Sequence, residues 1–461
     1  MASIKIFNTL TRTKEEFVPH EPGKVAMYVC GPTVYDRGHL GHGRSSVAFD
    51  VIRRFFMYQG FDVKFVSNYT DIDDKMITRA AEKGITVAQL AADIIPLYKE
   101  DFGELRVLPA DVHPMATEYT DAMISLISEL EKKDCTYMAN DGVYFDITKF
   151  PEYGKLSGQN LDELQAGSRV AVNDDKRNPQ DFVLWKLEKP GEPAWESPWG
   201  RGRPGWHIEC SAMVKSVLGQ PIDIHGGGLD LIFPHHECEV AQSEAAYGVP
   251  FSKYWVHNGF VNINKEKMSK SLNNFVTLRE SFKSYPGRVI RYLYLLTHYR
   301  SPLDFSEEVL EQAKNSLARI DQFWRLLANY KVGDLDGLKN IDIEGPARKF
   351  DDFLSNDFDV PGALGVLFSA ISDFNEDMSL SALSQDQVNS IKNLFLKFDQ
   401  VLAILPDEEK DLDSEIQGLI DERETARKAK DFAKSDEIRD ALKARGIVLE
   451  DTPNGVMWKR V

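Results

Sequence analysis

The sequence predicts an α/β protein: a parallel-sheet domain carrying an insertion, then an α-helical bundle and a small α+β C-terminal domain. Three observations predict it. From about residue 20 to 310, short apolar runs alternate with longer amphipathic ones, the strand–helix pattern of a parallel sheet. From about 311 to 403 only the helical period remains. The tail closes on two apolar runs joined across Thr452-Pro453-Asn454-Gly455, and Asn-Gly is a strong hairpin signal. A chain of 461 residues holds about three domains, each large enough for its own core.

The elements follow in order. Val25 to Val29 reads as a buried strand, followed by glycines at 31, 38, 41 and 43 and a helix from Ser45 to Tyr58. Strand, glycine-rich turn and helix N-terminus make a Rossmann-like unit. Its free N–H groups and helix dipole are a natural seat for phosphate. Val63 to Val66 is a second strand, and Trp255 to Val261 a later one. Between them, about 110 to 205 departs from the pattern. It has helical stretches, a strand at Tyr144-Phe145-Asp146 and a Pro/Gly/Trp-rich segment from Pro190 to Pro204, and reads as an insertion ending in a loop able to close over a site. The bundle has three apolar stripes: Ile320, Phe323, Leu326 and Leu327; Leu364, Leu367, Phe368 and Ile371; Ile391, Leu394, Phe395 and Phe398. An acidic linker, Pro406 to Glu415, leads to helices at about 415 to 429 and 432 to 445, the latter stopped by Gly446. Strands Ile447 to Asp451 and Val456 to Lys459 end the chain.

Composition narrows the function. Residues are 43% hydrophobic and 28% charged, as in ordinary globular proteins. The first residues lack a signal-peptide apolar stretch, and no run is long enough to span a bilayer. Four cysteines in so long a chain point to a reducing compartment, hence the cytoplasm, with thiols kept for metal or chemistry. A net charge of −17 argues against general nucleic-acid binding but leaves room for RNA held by a local basic face. Arg423 to Val461 has ten Lys/Arg against seven Asp/Glu, which suits such a face or an ordinary lysine-rich surface equally.

Two short motifs carry chemistry. His39-Leu40-Gly41-His42 sits at the predicted helix N-terminus, where two imidazoles can donate to negative charge building on a bound phosphate. Lys267-Met268-Ser269-Lys270-Ser271 supplies two lysines on a glycine-poor loop, suited to gripping leaving phosphates. A third set is dispersed: Cys30 after the first strand, Cys210, and His235 with Glu239 one helical turn apart behind Pro234. Two thiolates, an imidazole and a carboxylate would make a tetrahedral zinc site. Buried free cysteines beside a capped helix would leave the same trace, and Cys238 is near enough in sequence to be a rival ligand.

Together the first two motifs resemble the nucleotide-handling motifs of class I aminoacyl-tRNA synthetases. Further strings narrow this: Cys-Gly-Pro-Thr-Val-Tyr-Asp (30 to 36), Thr-Asp-Ile-Asp-Asp-Lys (70 to 75), Gly-Trp-His-Ile-Glu-Cys-Ser-Ala-Met (205 to 213), Asp-Ile-His-Gly-Gly-Gly (223 to 228) and Phe-Pro-His-His-Glu (233 to 237). They resemble the cysteinyl-tRNA synthetase family over essentially the whole chain. The resemblance implies a cysteine–tRNA ligase: L-cysteine and ATP give cysteinyl-adenylate and pyrophosphate, then cysteine passes to the 3′-terminal adenosine of tRNA(Cys). It implies a catalytic domain over 1–310 (insertion about 110–205, lysine loop 265–275), a helical bundle over 311–405 and an anticodon-binding domain over 406–461. It implies one Zn²⁺ on Cys30, Cys210, His235 and Glu239, selecting cysteine over serine by taking the substrate's thiolate, and Mg²⁺ carried in with ATP. His39, His42, Lys267 and Lys270 fall in the catalytic role, and Gly41, Gly227 and Asp230 join His39, His42 and Lys270 in binding ATP. Thr33, Thr70, Trp206 and His225 fall in the amino-acid pocket. Arg427, Asp436, Asp451 and Trp458 fall where the anticodon is read, with Phe432 standing where tryptophan is expected. A monomer is expected. Asp71, Asp73 and Asp74 suit a magnesium cluster or helix caps and salt bridges. The rival readings are a cysteine ligase acting on an amino-sugar, which should lack the tail domain, and a non-catalytic RNA-binding paralogue, which should have lost a motif histidine or Lys270.

Overall fold

The computed structural model describes residues 3–159, 176–267, 275–330, 341–380, 382–407, 414–444, 447–452 and 455–460. The chain forms two compact units. One comprises Met1–Ala313, Arg348–Val366 and Gln400–Leu402; the other comprises Lys314–Ala347, Leu367–Asp399 and Ala403–Val461.

At the centre of the first unit, β1 (Lys24–Val29) runs into α1 (Leu40–Tyr58) and then β2 (Asp62–Ser67). Later come α2 (Trp206–Val217), β3 (Ile222–Gly228), α3 (Glu237–Tyr247) and β4 (Ser252–Asn258). The four strands form one sheet, order β4-β3-β1-β2, parallel throughout. Val25, Met27, Tyr28 and Val29 are all buried, as expected of a parallel strand covered on both faces. The register sets Tyr28 beside His225, and His225 beside Trp255.

Three expectations shift. The first helix begins at Leu40 rather than Ser45, because the His39 side chain accepts from the Gly41 and His42 N–H groups and caps it there. The run from Trp255 to Val261 is not one strand. It breaks at Gly259, where a Cβ would run into the Ser301 carbonyl, and Val261–Ile263 joins a separate three-stranded sheet with Glu266–Lys267 and Leu303–Phe305. The insertion holds a four-stranded antiparallel sheet (Thr136–Ala139, Gly142–Phe145, Phe182–Leu187, Gly202–Pro204) against helix Thr120–Lys132, where one strand was expected. Strands of three to six residues give too few alternations to read. The end of the Pro190 to Pro204 segment is thus a sheet strand, and Trp195 pairs back onto Gly202.

In the second unit, Phe323, Phe374 and Phe395 pack together, with Phe323 and Phe395 ring centres 5.0 Å apart. Ile320, Leu327, Leu367, Ile371, Ile391, Leu394 and Phe398 complete that apolar interior. Helices Ser414–Lys428 and Phe432–Ala444 precede the antiparallel pair Ile447–Thr452 and Gly455–Arg460. Ile420, Ile438, Leu442 and Ile447 form their small core. The expected helix stop at Gly446 and turn residue Asn454 lie outside the described residues. Among the described residues no helix is long and apolar enough to cross a membrane.

Candidate active site

Strand side chains alternate between faces, so Tyr28 and Cys30 share one face of the sheet, with His225 beside Tyr28. The opposite face belongs to α1, whose Phe49 occupies the space a Cβ at Gly226 would need. Over the Cys30 face, α2 brings Cys210, α3 brings Glu239, and His235 lies just ahead of α3. The four ligating atoms all lie within 4.8 Å of one another.

These distances suit a tetrahedral ion. Sulfurs bound to one zinc stand roughly 3.8 Å apart; here they are 3.6 Å apart. Cys30 Sγ is 3.5 Å from Glu239 Oε1, Cys210 Sγ is 3.8 Å from His235 Nε2, and His235 Nε2 is 2.9 Å from Glu239 Oε1. Burial pushes the Glu239 carboxyl and the Cys30 thiol well above their ordinary pKa values. Cys30 donates its S–H to Cys210, which falls to about 7. Two soft donors, an imidazole and a carboxylate crowded in a dry pocket are the donor set of a zinc site, and a divalent cation would replace the protons that burial retains. Glu239 Oε2 is buried, lies 3.2 Å from His225 Nε2 and makes no hydrogen bond among the described residues. Cys238, the rival ligand by sequence, points elsewhere: its Sγ meets the Tyr153 hydroxyl at 3.5 Å in the insertion core. A second donor set, unanticipated from sequence, shares two members with the first: Cys30, His225, His236 and Glu239.

Above this cluster opens a cavity of about 650 Å³, whose wall includes Cys30, Thr33, His39, Gly41, His42, Trp206, Gly228 and Asp230. His39 and His42 stack with ring centres 3.7 Å apart. Each Nδ1 accepts a backbone N–H: His39 from Gly41 and His42, and His42 from His39. A neutral imidazole accepting at Nδ1 carries its hydrogen on Nε2. Burial first, then His39, pushes His42 well below its ordinary pKa, so it stays a neutral N–H donor. Trp206, 39% exposed, stacks on His235 at 4.2 Å.

Other expected pocket residues stand behind the wall. Thr70 is buried, bridges to Thr33 and donates to Glu209 Oε2 at 2.8 Å. His225 is fully buried, its Nε2 3.5 Å from Cys30 Sγ. Gly227 is in β3, and its neighbour Gly228 lines the cavity. The acidic trio is occupied: Asp71 accepts from Thr117, Asp73 caps helix Asp74–Lys83, and Asp74 pairs with Lys186 and Arg203. Sequence reading missed His236, whose Nε2 is 3.3 Å from Cys30 Sγ and whose Nδ1 is 2.8 Å from His257 Nε2. The Pro-His-His-Glu string was the available signal, but two adjacent histidines gave no means of assigning both.

Lys267 ends the short strand Glu266–Lys267, while Lys270 lies outside the described residues. In the second unit, Arg427 and Asp436 are exposed on successive helices. Asp451 and Trp458 lie on the paired strands, opposite Val456 and Leu449. Phe432 is 64% exposed at the start of its helix.

Comparison with known families agrees. Residues 16–315 match the class I (C) tRNA synthetase catalytic domain, 349–406 the DALR domain and 409–458 the cysteinyl-tRNA ligase anticodon-binding domain. The cysteine–tRNA ligase of Shouchella clausii (strain KSM-K16) is 50% identical over 467 residues, covering 99% of each protein. The chain belongs to the cysteinyl-tRNA synthetase family. The cysteine–tRNA ligase of Carboxydothermus hydrogenoformans is 49% identical over 99% of this chain and 100% of its own length. Among solved structures, the Mycobacterium tuberculosis methionyl-tRNA synthetase with methionyl-adenylate matches with a TM-score of 0.60 at 16% identity, over 82% of this chain and 89% of that one. The Agrobacterium radiobacter K84 LeuRS matches with a TM-score of 0.64 at 11% identity, over 84% of this chain and 85% of that one. These two share the fold: the expected Rossmann-like parallel sheet is that of class I synthetases.

Proposed function

We infer that the chain is a cysteine–tRNA ligase. The observation that carries the reading is one cavity whose wall holds the paired His39 and His42 together with Cys30, a member of the thiol-rich donor set Cys30, Cys210, His235 and Glu239. In the first step the cysteine carboxylate attacks the α-phosphate of ATP in line, giving cysteinyl-adenylate and pyrophosphate. His39 and His42 donate from Nε2 to the developing charge, with Lys267 and Lys270 on the phosphates that leave. Gly41, Gly227 and Asp230 hold the nucleotide; Thr33, Thr70, Trp206 and His225 shape the amino-acid end. In the second step a ribose hydroxyl of the terminal adenosine of tRNA(Cys) attacks the mixed anhydride, and AMP leaves. Positioning and electrostatics suffice; no residue becomes covalently attached. When bound on the four donors, zinc supplies a position that takes a thiolate far better than a hydroxyl, which separates cysteine from serine.

Mg²⁺ arrives with ATP, the working state is a monomer, and the compartment is the cytoplasm. The working division is a catalytic domain over 1–310, a helical bundle over 311–405 and an anticodon-binding domain over 406–461, in which Arg427, Asp436, Asp451 and Trp458 read bases. The matched tail supports tRNA as acceptor over an amino-sugar. Amino-acid-dependent ATP–pyrophosphate exchange, cysteine against serine, before and after zinc removal, tests the reading. Exchange with cysteine alone, lost with the metal, is expected; a zinc-loaded chain with no exchange refutes it.

A further inference from the structure

Tyr28 lies beneath the four-donor cluster and has no part in the steps above. It shares a sheet face with Cys30 and packs with Cys210, Met213 and Val214 of α2. Its ring stacks on His225 at 5.3 Å with planes 28° apart. The residue is 0% exposed. Its hydroxyl oxygen is buried and makes no hydrogen bond among the described residues. An unpaired hydroxyl in a dry, well-packed interior is unfavourable and asks for a partner.

Its neighbours identify that partner. The Cys210 sulfur belongs to the same buried cluster as the Tyr28 ring, and a phenol, with an ordinary pKa of about 10, carries its hydrogen at neutral pH. Thiolates on a metal take N–H or O–H donors, which tune how much charge they give the ion. Cys30 already has a ring nitrogen beside it able to serve, His236 Nε2 at 3.3 Å. Among the described residues Cys210 has no equivalent outside the ligand set: Asn68 Oδ1 at 3.9 Å is an acceptor, and His235 Nε2 at 3.8 Å belongs to a fellow ligand.

We propose that the Tyr28 hydroxyl donates to the Cys210 thiolate at the zinc-loaded site, and so sets how strongly the metal competes for the substrate's sulfur. The proposal rests on the zinc reading. Tyr28 is then a positioning residue, acting through Cys210 and touching no substrate. Without its hydrogen bond, Cys210 gives the ion more charge, and the ion takes a further thiolate less well.

The test uses the full chain loaded with Co²⁺, whose sulfur-to-metal charge-transfer band reports thiolate donation. Tyr28→Phe is expected to keep one metal per chain and move that band to longer wavelength. A thiolate without that hydrogen bond is easier to protonate, so the site should release metal to a chelator about tenfold more readily, and the KM for cysteine should rise about tenfold, with the KM for ATP unchanged. Replacing Tyr28 by 3-fluorotyrosine, a stronger donor, should move the band the other way, and this arm decides the matter if the phenylalanine variant does not fold. A band and metal retention unchanged in both variants overturn the proposal and leave the zinc reading standing. A wild-type chain that takes up neither cobalt nor zinc overturns both.

Discussion

Cys30 and Cys210 stand 180 residues apart in the sequence, and their sulfurs lie 3.6 Å from each other. The parallel sheet brings them together: Cys30 leaves the end of β1, and α2 crosses the same face carrying Cys210. A pair made this way is sensitive to one atom. Cys210→Ser keeps the volume and replaces a soft donor by a hydroxyl. Cysteine activation should fall on the order of a hundredfold or more, with zinc content reduced and the circular dichroism spectrum unchanged. A variant that exchanges pyrophosphate at the wild-type rate sinks the zinc reading.

The cap that His39 makes and the catalytic role proposed for it use different ring atoms, so they can be separated. Its Nδ1 caps α1, and its Nε2 faces the chemistry in the proposed reaction. Asparagine can take over the cap with its side-chain oxygen but has no donor where Nε2 was. His39→Asn should keep the melting temperature near wild type and lower kcat by about 10²–10³. His39→Ala should add a stability loss of about 1 kcal/mol. Thermal unfolding beside pyrophosphate exchange checks both; equal losses of stability in the two variants refute the division of labour.

What sequence could and could not reveal follows from range. His39 and His42 fall within one helical turn, so their joint presentation was readable from spacing, while the cap that His39 makes, and with it the helix start at Leu40, was not. The dispersed set was readable only as residue types, because the contact between Cys30 and Cys210 depends on the order β4-β3-β1-β2. Cys238 shows the limit: three residues from His235, it nonetheless faces Tyr153, since one residue's shift on a helix turns a side chain by roughly 100°. Tyr28 read as one more apolar strand residue; only the register with His225 reveals a hydroxyl under the cluster.

In the tail, Arg427 and Asp436 are exposed on successive helices, and each reading of them makes a different prediction. If they contact bases, Arg427→Glu should raise the KM for tRNA roughly tenfold or more, the effect of about 1–3 kcal/mol per base contact, while pyrophosphate exchange without tRNA stays at wild type. An aminoacylation KM that does not move assigns Arg427 to the solvated surface.

Acid stability supplies the remaining prediction. His257 is enclosed, with Nδ1 2.7 Å from Thr9 Oγ1 and Nε2 2.8 Å from His236 Nδ1. Burial pushes its pKa down to about 3, against roughly 6.5 for a free histidine. Between those values the unfolded chain binds a proton here and the folded chain does not. The stability is therefore whole above about pH 6.5 and falls as the pH drops through the window, by about 1.4 kcal/mol per pH unit. His42, depressed by burial and then by His39, adds to the slope with the same sign. Glu209 opposes it: burial raises its carboxyl well above the ordinary value, so its contribution is whole below the unfolded pKa and is lost as the pH rises through the folded one. His113, His207, His225, His236 and His298 are depressed as well, and Asp71, Asp101 and Glu239 are raised with Glu209; among the described residues seven histidines against four carboxyls leave a net loss on acidification. Denaturant unfolding between about pH 7 and about pH 5 should show it, and His257→Gln, which has no proton to take up, should flatten the slope by about 1.4 kcal/mol per pH unit. Parallel slopes for the two proteins would remove His257 from the acid response.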